Sequence, residues 1–260
     1  MDTQALQSAA QTVARHRLEH TALSTLPQLA TVEDGYRAQD EGHRLLAPTL
    51  GAVVGHKIGA TNAAIQQKLG VGHPCAGGVY AKCVWPSGTR LSMSQFVRPG
   101  LECEIAFRLG HDMAPQPALY ARQDVVDAID ACMISMEIVD NRHANLAQIH
   151  IPTLLADDTL DAGVLLGAAL TQWRSFDFPI LTGIIHRNGA EISRGQASNV
   201  LGDPVNAMVW IANTYSGLGR TLRRGEFVST GSIADLIWAQ AGEHYKIEVP
   251  GVGSLEVSFV

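Results

Sequence analysis

Ile180-Leu-Thr-Gly-Ile-Ile-His-Arg-Asn-Gly-Ala-Glu-Ile-Ser193 holds two short apolar runs separated by Asn188-Gly189. Both turn residues tolerate positive φ, which a two-residue hairpin with properly twisted strands demands. The stretch therefore predicts an antiparallel hairpin, and the same texture continues on either side of it. From Gly70 onward, β-branched and apolar runs alternate with Gly, Pro and Asn turns. They predict strands over 78–85, 102–109, 134–139 and 164–170, with closing strands over 244–249 and 254–260. A further strand is predicted over 53–58.

The helical signals cluster before this region. Leu6, Ala9, Ala10, Val13, Ala14 and Leu18 recur at helical spacing. Thr31-Val-Glu-Asp34 reads as a capping box, opening a helix expected to stop before Pro48. A short helix over 63–69 takes Thr61 or Asn62 as its cap and Gly70 as its end. Later, Asp203-Pro204 opens another helix, with Val205, Met208, Val209, Ala212 and Tyr215 on one face. The pattern is that of an α+β protein: a small helical N-terminal region, then a body of antiparallel or mixed sheet.

The 260-residue chain is 46% hydrophobic and 17% charged, enough for a sizeable core and unlike a disordered chain. The longest apolar stretch, 164–170, is far short of the ~20 residues of a membrane-spanning helix. The net charge of −6, without blocks of like charge, argues against nucleic acid as a partner. The first eight residues lack a secretory pattern, so a cytoplasmic location is expected. Cys75, Cys83, Cys103 and Cys132 form no C-x-x-C pair and are expected to be reduced, packed thiols. Nucleotide-cradling, zincin and nucleophile-elbow motifs are absent.

The chemistry concentrates in acids. In Leu101-Glu-Cys-Glu-Ile-Ala-Phe-Arg-Leu109, strand alternation puts the apolar residues on one face and Glu102 with Glu104 on the other. Such a pair converges on a hard divalent cation, though a solvated strand face has the same spacing. Glu137 sits inside the apolar run Ser135-Met-Glu-Ile-Val139, where an unpaired carboxylate is costly. Three acids without a basic partner suit Mg²⁺ or Mn²⁺ better than zinc. In Gly55-His-Lys-Ile-Gly59, Lys57 lies between two glycines at a strand end. There it is either an ordinary exposed lysine or a desolvated acid or base of lowered pKa. Thr230-Gly231-Ser232 follows a strand and offers a hydroxyl and backbone N–H groups to a substrate carboxylate, although any strand-to-helix turn looks alike.

Taken together, Val54-Gly-His-Lys-Ile-Gly-Ala-Thr61, Gln67-Lys-Leu-Gly-Val71, Glu102-Cys-Glu-Ile-Ala106, Glu137-Ile-Val-Asp-Asn-Arg142, Leu201-Gly-Asp-Pro-Val-Asn-Ala207 with Val209-Trp-Ile-Ala212, Thr230-Gly231 and Gly251-Val-Gly-Ser-Leu-Glu-Val257 resemble the 2-keto-4-pentenoate hydratase and 4-oxalocrotonate decarboxylase family, a branch of the fumarylacetoacetate hydrolase superfamily. The resemblance covers about residues 30 to 260. It implies a mixed β-roll with a smaller N-terminal region, divided here as 1–75 and 76–260, and a homo-oligomer. It also implies Glu102, Glu104 and Glu137 as the metal-binding carboxylates and Lys57 as the acid-base lysine.

Two departures from the family pattern stand out. Leu69-Gly-Val-Gly-His-Pro-Cys-Ala-Gly77 carries Cys75 where the family places a catalytic Asp, and a thiol does not replace a carboxylate as a charged partner at neutral pH. His73 is the candidate for the missing base. Asp158-Thr-Leu-Asp161 replaces the usual Asp-Asn-Ala-Ser and brings Asp161 into the expected substrate-binding set with Thr230, Gly231 and Ser232. The resulting expectation is a Mg²⁺- or Mn²⁺-dependent hydratase or decarboxylase of a small 2-oxo or 2-hydroxy-dienoic acid from aromatic catabolism. A carbon-carbon hydrolase of an acylpyruvate-like diketone and a catalytically silent scaffold paralogue stay open beside it.

Overall fold

The computed structural model describes residues 3–23, 29–144 and 149–260. Six α-helices are described: α1 (Thr3–Glu19), α2 (Val32–Leu50), α3 (Ala63–Leu69), α4 (Arg122–Ala128), α5 (Ile151–Ala156) and α6 (Pro204–Gly217). The strands are β1 (Val53–Gly59), β2 (Cys75–Tyr80), β3 (Val84–Trp85), β4 (Thr89–Leu91), β5 (Pro99–Leu109), β6 (Ile129–Asp140), β7 (Asp161–Leu166), β8 (Thr182–Arg187), β9 (Ala190–Gln196), β10 (Phe227–Ser229), β11 (Ile237–Trp238), β12 (His244–Val249) and β13 (Gly253–Phe259).

They form two mixed sheets. The larger runs β2-β1-β10-β5-β6-β7-β3 with β11 on the edge of β5, and the smaller runs β4-β13-β12-β8-β9. The β1–β10, β3–β7 and β4–β13 pairs are parallel, and the others are antiparallel. The core between the sheets takes Leu101, Cys103, Ile105 and Phe107 from β5, as alternation predicts, and meets Tyr245, Ile247 and Val257 from the smaller sheet. The hairpin forms with Asn188 and Gly189 at φ 50° and 84°, between β8 and β9. All four cysteines are free and buried. Among the described residues no helix is long and apolar enough to cross a membrane.

Several boundaries differ from expectation. The strand predicted over 78–85 is β2, starting earlier at Cys75, followed by a 3₁₀ turn and the two-residue β3. The strand predicted over 164–170 is β7, ending at Leu166. Helix α2 runs through Pro48 to Leu50, because a proline in the last turn removes a single N–H while the Gly51 N–H still closes the helix onto Ala47 O. No helix follows Ser232; the chain there leads into β11. On α1, Leu18 is exposed and Arg17 takes the inward position, since residue 17 continues the 10, 13, 14 stripe. Strand pairing crosses the expected border at residue 75: β1 lies between β2 and β10 inside the larger sheet.

Phe107 is fully buried at the centre of an aromatic cluster, 5.7 Å from the Trp173 ring and 5.0 Å from the Phe178 ring. Phe107→Ala is expected to lower unfolding free energy by about 3–5 kcal/mol in urea titration. A loss below about 1 kcal/mol would mean that this cluster does not carry the core.

Candidate metal centre and acid-base site

Residues directly opposite on neighbouring strands share a face. Glu102 on β5 faces Glu137 on β6, and Glu104 faces Ser135. One row further, Ala106 lies against Ser229 of β10, which lies against Lys57 of β1. Lys57, Ser229, Glu102, Glu104, Ser135 and Glu137 therefore project from one face of the larger sheet, away from the core side of β5. Between Ser229 and β11 the chain stays tied to β5 by the Thr230 N–H to Ile105 O and the Ile233 N–H to Cys103 O, and Gly231 between them turns onto the acids. Ser229 Oγ donates to Glu104 Oε2 at 2.5 Å, and the Gly231 N–H donates to the same oxygen at 3.0 Å. Ser135 Oγ stands 2.8 Å from Ser229 Oγ.

One carboxylate oxygen from each of Glu102, Glu104 and Glu137 lies within 4.8 Å of the other two. Glu104 and Glu137 are buried, while Glu102 is half-buried and lines a cavity of about 470 Å³. Lys57 Nζ is 2.8 Å from Glu137 Oε1 and donates to the Thr159 carbonyl at 2.9 Å. Three acids thus face one ammonium. Glu104 Oε1 and both Glu137 oxygens, all buried, accept no well-aligned hydrogen bond. Burial pushes all three carboxyls above their usual range, Glu137 to about 8 despite the opposing pull of Lys57. Buried acceptors without donors, arranged as an all-oxygen set, fit a hard divalent cation. The solvated-face alternative does not describe these residues.

Lys57 itself departs from the sequence-based expectation. Burial works to lower its pKa, but Glu137, Glu102 and Glu104 outweigh burial and hold it above the usual lysine value. The ammonium is kept charged by the same acids that form the carboxylate cluster.

The other nominated residues divide sharply. Cys75 is buried and lines the cavity with Lys57, and burial pushes its thiol up to about 11, so it is neutral near pH 7. His73 is exposed, with Nδ1 2.7 Å from its neighbour Pro74 O, and does not line the cavity. Ser232 lines the cavity, its hydroxyl donating to Ala234 O. Thr230 is buried outside it, its hydroxyl and N–H both committed to Ile105 O, and the Gly231 N–H serves Glu104. Asp161 does not line the cavity. It is fully buried and held by Arg17 Nη2 at 2.6 Å.

That ion pair belongs to a group the sequence did not single out. Asp158, Thr159 and Leu160 have consecutive positive φ values of 49°, 51° and 71°, a strained run for residues with side chains. Asp158 Oδ1 accepts from the Gly78 N–H at 2.9 Å and lies 2.7 Å from His43 Nε2, while Oδ2 takes Arg17 Nη1 at 3.2 Å. Burial works to raise the Asp158 pKa, but His43 and Arg17 hold it down at about 2. The clamp fixes the backbone whose Thr159 carbonyl receives Lys57. Only the helical position of residue 17 hinted at Arg17, whose partners lie more than a hundred residues away in sequence.

A three-carboxylate cluster facing a lysine, on the face of the larger sheet away from the β5 core, has the make-up of a divalent-cation site with an acid-base group beside it. Residues 74–260 match the family model described as fumarylacetoacetate (FAA) hydrolase C-terminal, and the chain belongs to that family. It is 31% identical over 235 residues to the 2-keto-4-pentenoate hydratase of Paraburkholderia xenovorans, covering 90% of this chain and 86% of that one. It is likewise 31% identical to the 2-hydroxyhexa-2,4-dienoate hydratase of Comamonas testosteroni, covering 88% and 86%. Its fold superposes with a TM-score of 0.93 on the 4-oxalocrotonate decarboxylase of Pseudomonas putida G7, solved with magnesium and adipate. That protein is 23% identical, with 100% and 99% of the two chains covered.

Glu104→Gln is expected to abolish the rise in melting temperature that Mg²⁺ produces in the unaltered protein, with the far-UV spectrum unchanged; an undiminished rise would remove Glu104 from the ligand set. The raised carboxyls also predict a pH dependence. In EDTA the folded state binds more protons than the unfolded chain between about pH 4.5 and 8, so stability falls as pH rises through that window. A melting series from pH 5 to 8 that stays flat or climbs in EDTA would contradict this sign.

Proposed function

We propose that this protein is a Mg²⁺- or Mn²⁺-dependent lyase, a hydratase or decarboxylase acting on a small 2-oxo or 2-hydroxy-dienoic acid in aromatic-compound catabolism. The observation that carries the reading is the cluster of buried, hydrogen-bond-poor carboxylates beside a charged lysine in an open cavity. The names borne by the hydratase relatives agree with it. Glu102, Glu104 and Glu137 would hold the divalent cation, which would supply Lewis-acid stabilisation of charge on the substrate's 2-oxo oxygen.

Lys57, fixed between Glu137 and the Thr159 carbonyl, holds the proton that the dienol carbon takes up or gives back. Cys75 stays protonated and leaves Glu137 as the carboxylate partner of that ammonium. Ile58, Leu69, Leu154 and Leu160 give the cavity an apolar wall suited to a short unsaturated chain. None of the described residues lining the cavity is a histidine, so the water-activating His–acid pair of a carbon-carbon hydrolase has no counterpart there. We further read the protein as a cytoplasmic homo-oligomer with no nucleic-acid or membrane partner.

Metal-stripped and Mg²⁺-loaded protein would be incubated with 2-hydroxypenta-2,4-dienoate, 4-oxalocrotonate and an acylpyruvate, and the products identified by NMR. Metal-dependent hydration or CO₂ release from one of the first two is expected. Lys57→Met should cut that rate about 10²- to 10⁴-fold while Mg²⁺ still binds. Cleavage of the acylpyruvate alone would make the protein a hydrolase, and binding of all three without turnover would make it a silent paralogue.

A further inference from the structure

Lys57 and Arg98 are the cationic side chains among the described residues lining the cavity. Lys57 is matched by Glu137, whereas the Arg98 guanidinium has no carboxylate within ion-pair distance among the described residues. Its position is nevertheless defined. The Arg98 N–H donates to Asp140 Oδ1 at 2.7 Å just before β5, and the guanidinium lies over the Trp238 ring, 4.3 Å from its centroid. Trp238 can occupy that place because its partner across the β5–β11 ladder is Gly100. A Cβ at residue 100 would meet Leu236 Cδ1 at 2.8 Å and Trp238 Cε3 at 3.0 Å. The bare backbone at Gly100 thus seats the indole, and the indole seats the arginine.

Gly100 and Glu102 alternate onto one side of β5, and Arg98, exposed in the bend that leads into the strand, lines the same cavity as Glu102. Arg98 and Glu102 are separated by at most about 13 Å of backbone, and both line the one cavity. A small acid whose 2-oxo carboxylate end sits at the glutamates occupies the cavity that Arg98 also lines. Asp235, the other acid of the rim, is engaged by Ser193 Oγ at 3.3 Å. An unpaired, stacked guanidinium is the group that recognises a carboxylate through two parallel hydrogen bonds.

We propose that Arg98, held on Trp238, binds the distal carboxylate of a dicarboxylic substrate, so that the preferred dienoic acid carries acid groups at both ends. This rests on the lyase reading above, which places the other end of the substrate at Glu102, Glu104 and Glu137.

The test compares acids of equal length. Mg²⁺-loaded protein is titrated calorimetrically with 2-oxoadipate and with 2-oxohexanoate, which differ in the distal carboxylate. The diacid is expected to bind about 10- to 100-fold more tightly, and Arg98→Gln should erase the difference while leaving the monoacid affinity and the melting temperature in place. Equal binding of the two acids by the unaltered protein, or an equal loss of both in Arg98→Gln, overturns the assignment.

Turnover is measured separately on 4-oxalocrotonate and 2-hydroxypenta-2,4-dienoate, where Arg98→Gln should raise KM for the diacid alone. If neither is converted but the calorimetric difference holds and vanishes in Arg98→Gln, the lyase reading fails while the carboxylate subsite stands.

Discussion

An excess of buried carboxyl groups over cations organises this protein. Glu104 and Glu137 sit on adjacent strands in surroundings that exclude water, and Lys57 neutralises only one of three clustered carboxylates. Carboxylates directly opposite on antiparallel strands repel, and burial sharpens the repulsion. The arrangement persists because the β5–β6 ladder is long and its other face is locked into the main core. The strong half of the sheet, apolar and tightly packed, holds the weak half in a geometry that it would not adopt alone. Strain at a chemical site offset by packing elsewhere is a general property of preorganised proteins.

The same logic explains the ring of partners around the acids. Ser229 and the Gly231 N–H give Glu104 Oε2 two donors and leave its other oxygen turned to the cluster. Thr159 offers a carbonyl to Lys57, so the ammonium is oriented from two directions. Cys75 sits at the register position opposite Gly59 and lines the cavity as a neutral wall. Where relatives of the resembled family carry an acid, this chain has a group that adds no fourth negative charge to an already overloaded site. Among the described residues Glu137 is the carboxylate in ion-pair contact with Lys57.

Much of this was legible in sequence where period and burial agree. The two-residue alternation around Glu102 and Glu104 assigned each residue of β5 to its correct face, and Asn188-Gly189 marked the hairpin turn. Glu137 stood out because an acid inside an apolar run needs a reason. Failures came where local pattern is silent about distance. His73 is near Cys75 in sequence but points to solvent, and Asp161 lies in a motif beside the cavity yet faces α1. Thr230 and Gly231 were picked for their donors, and those donors are spent on Ile105 and Glu104. Arg17 was passed over because a charged residue on a helical stripe reads as exposed, when here it completes a buried ion pair.

The reach of α1 into the strained 158–160 run ties distant parts of the chain together. The match to the family's C-terminal model begins at residue 74, yet the backbone that presents Thr159 to Lys57 is held by cations from residues 17 and 43. The N-terminal helices and the sheet are therefore not interchangeable modules. Without the Arg17 cation Asp161 would be buried with no partner charge and, among the described residues, Asp158 would keep His43 alone as an ion-pair partner, so a change in the first helix is felt in the backbone beside the cavity.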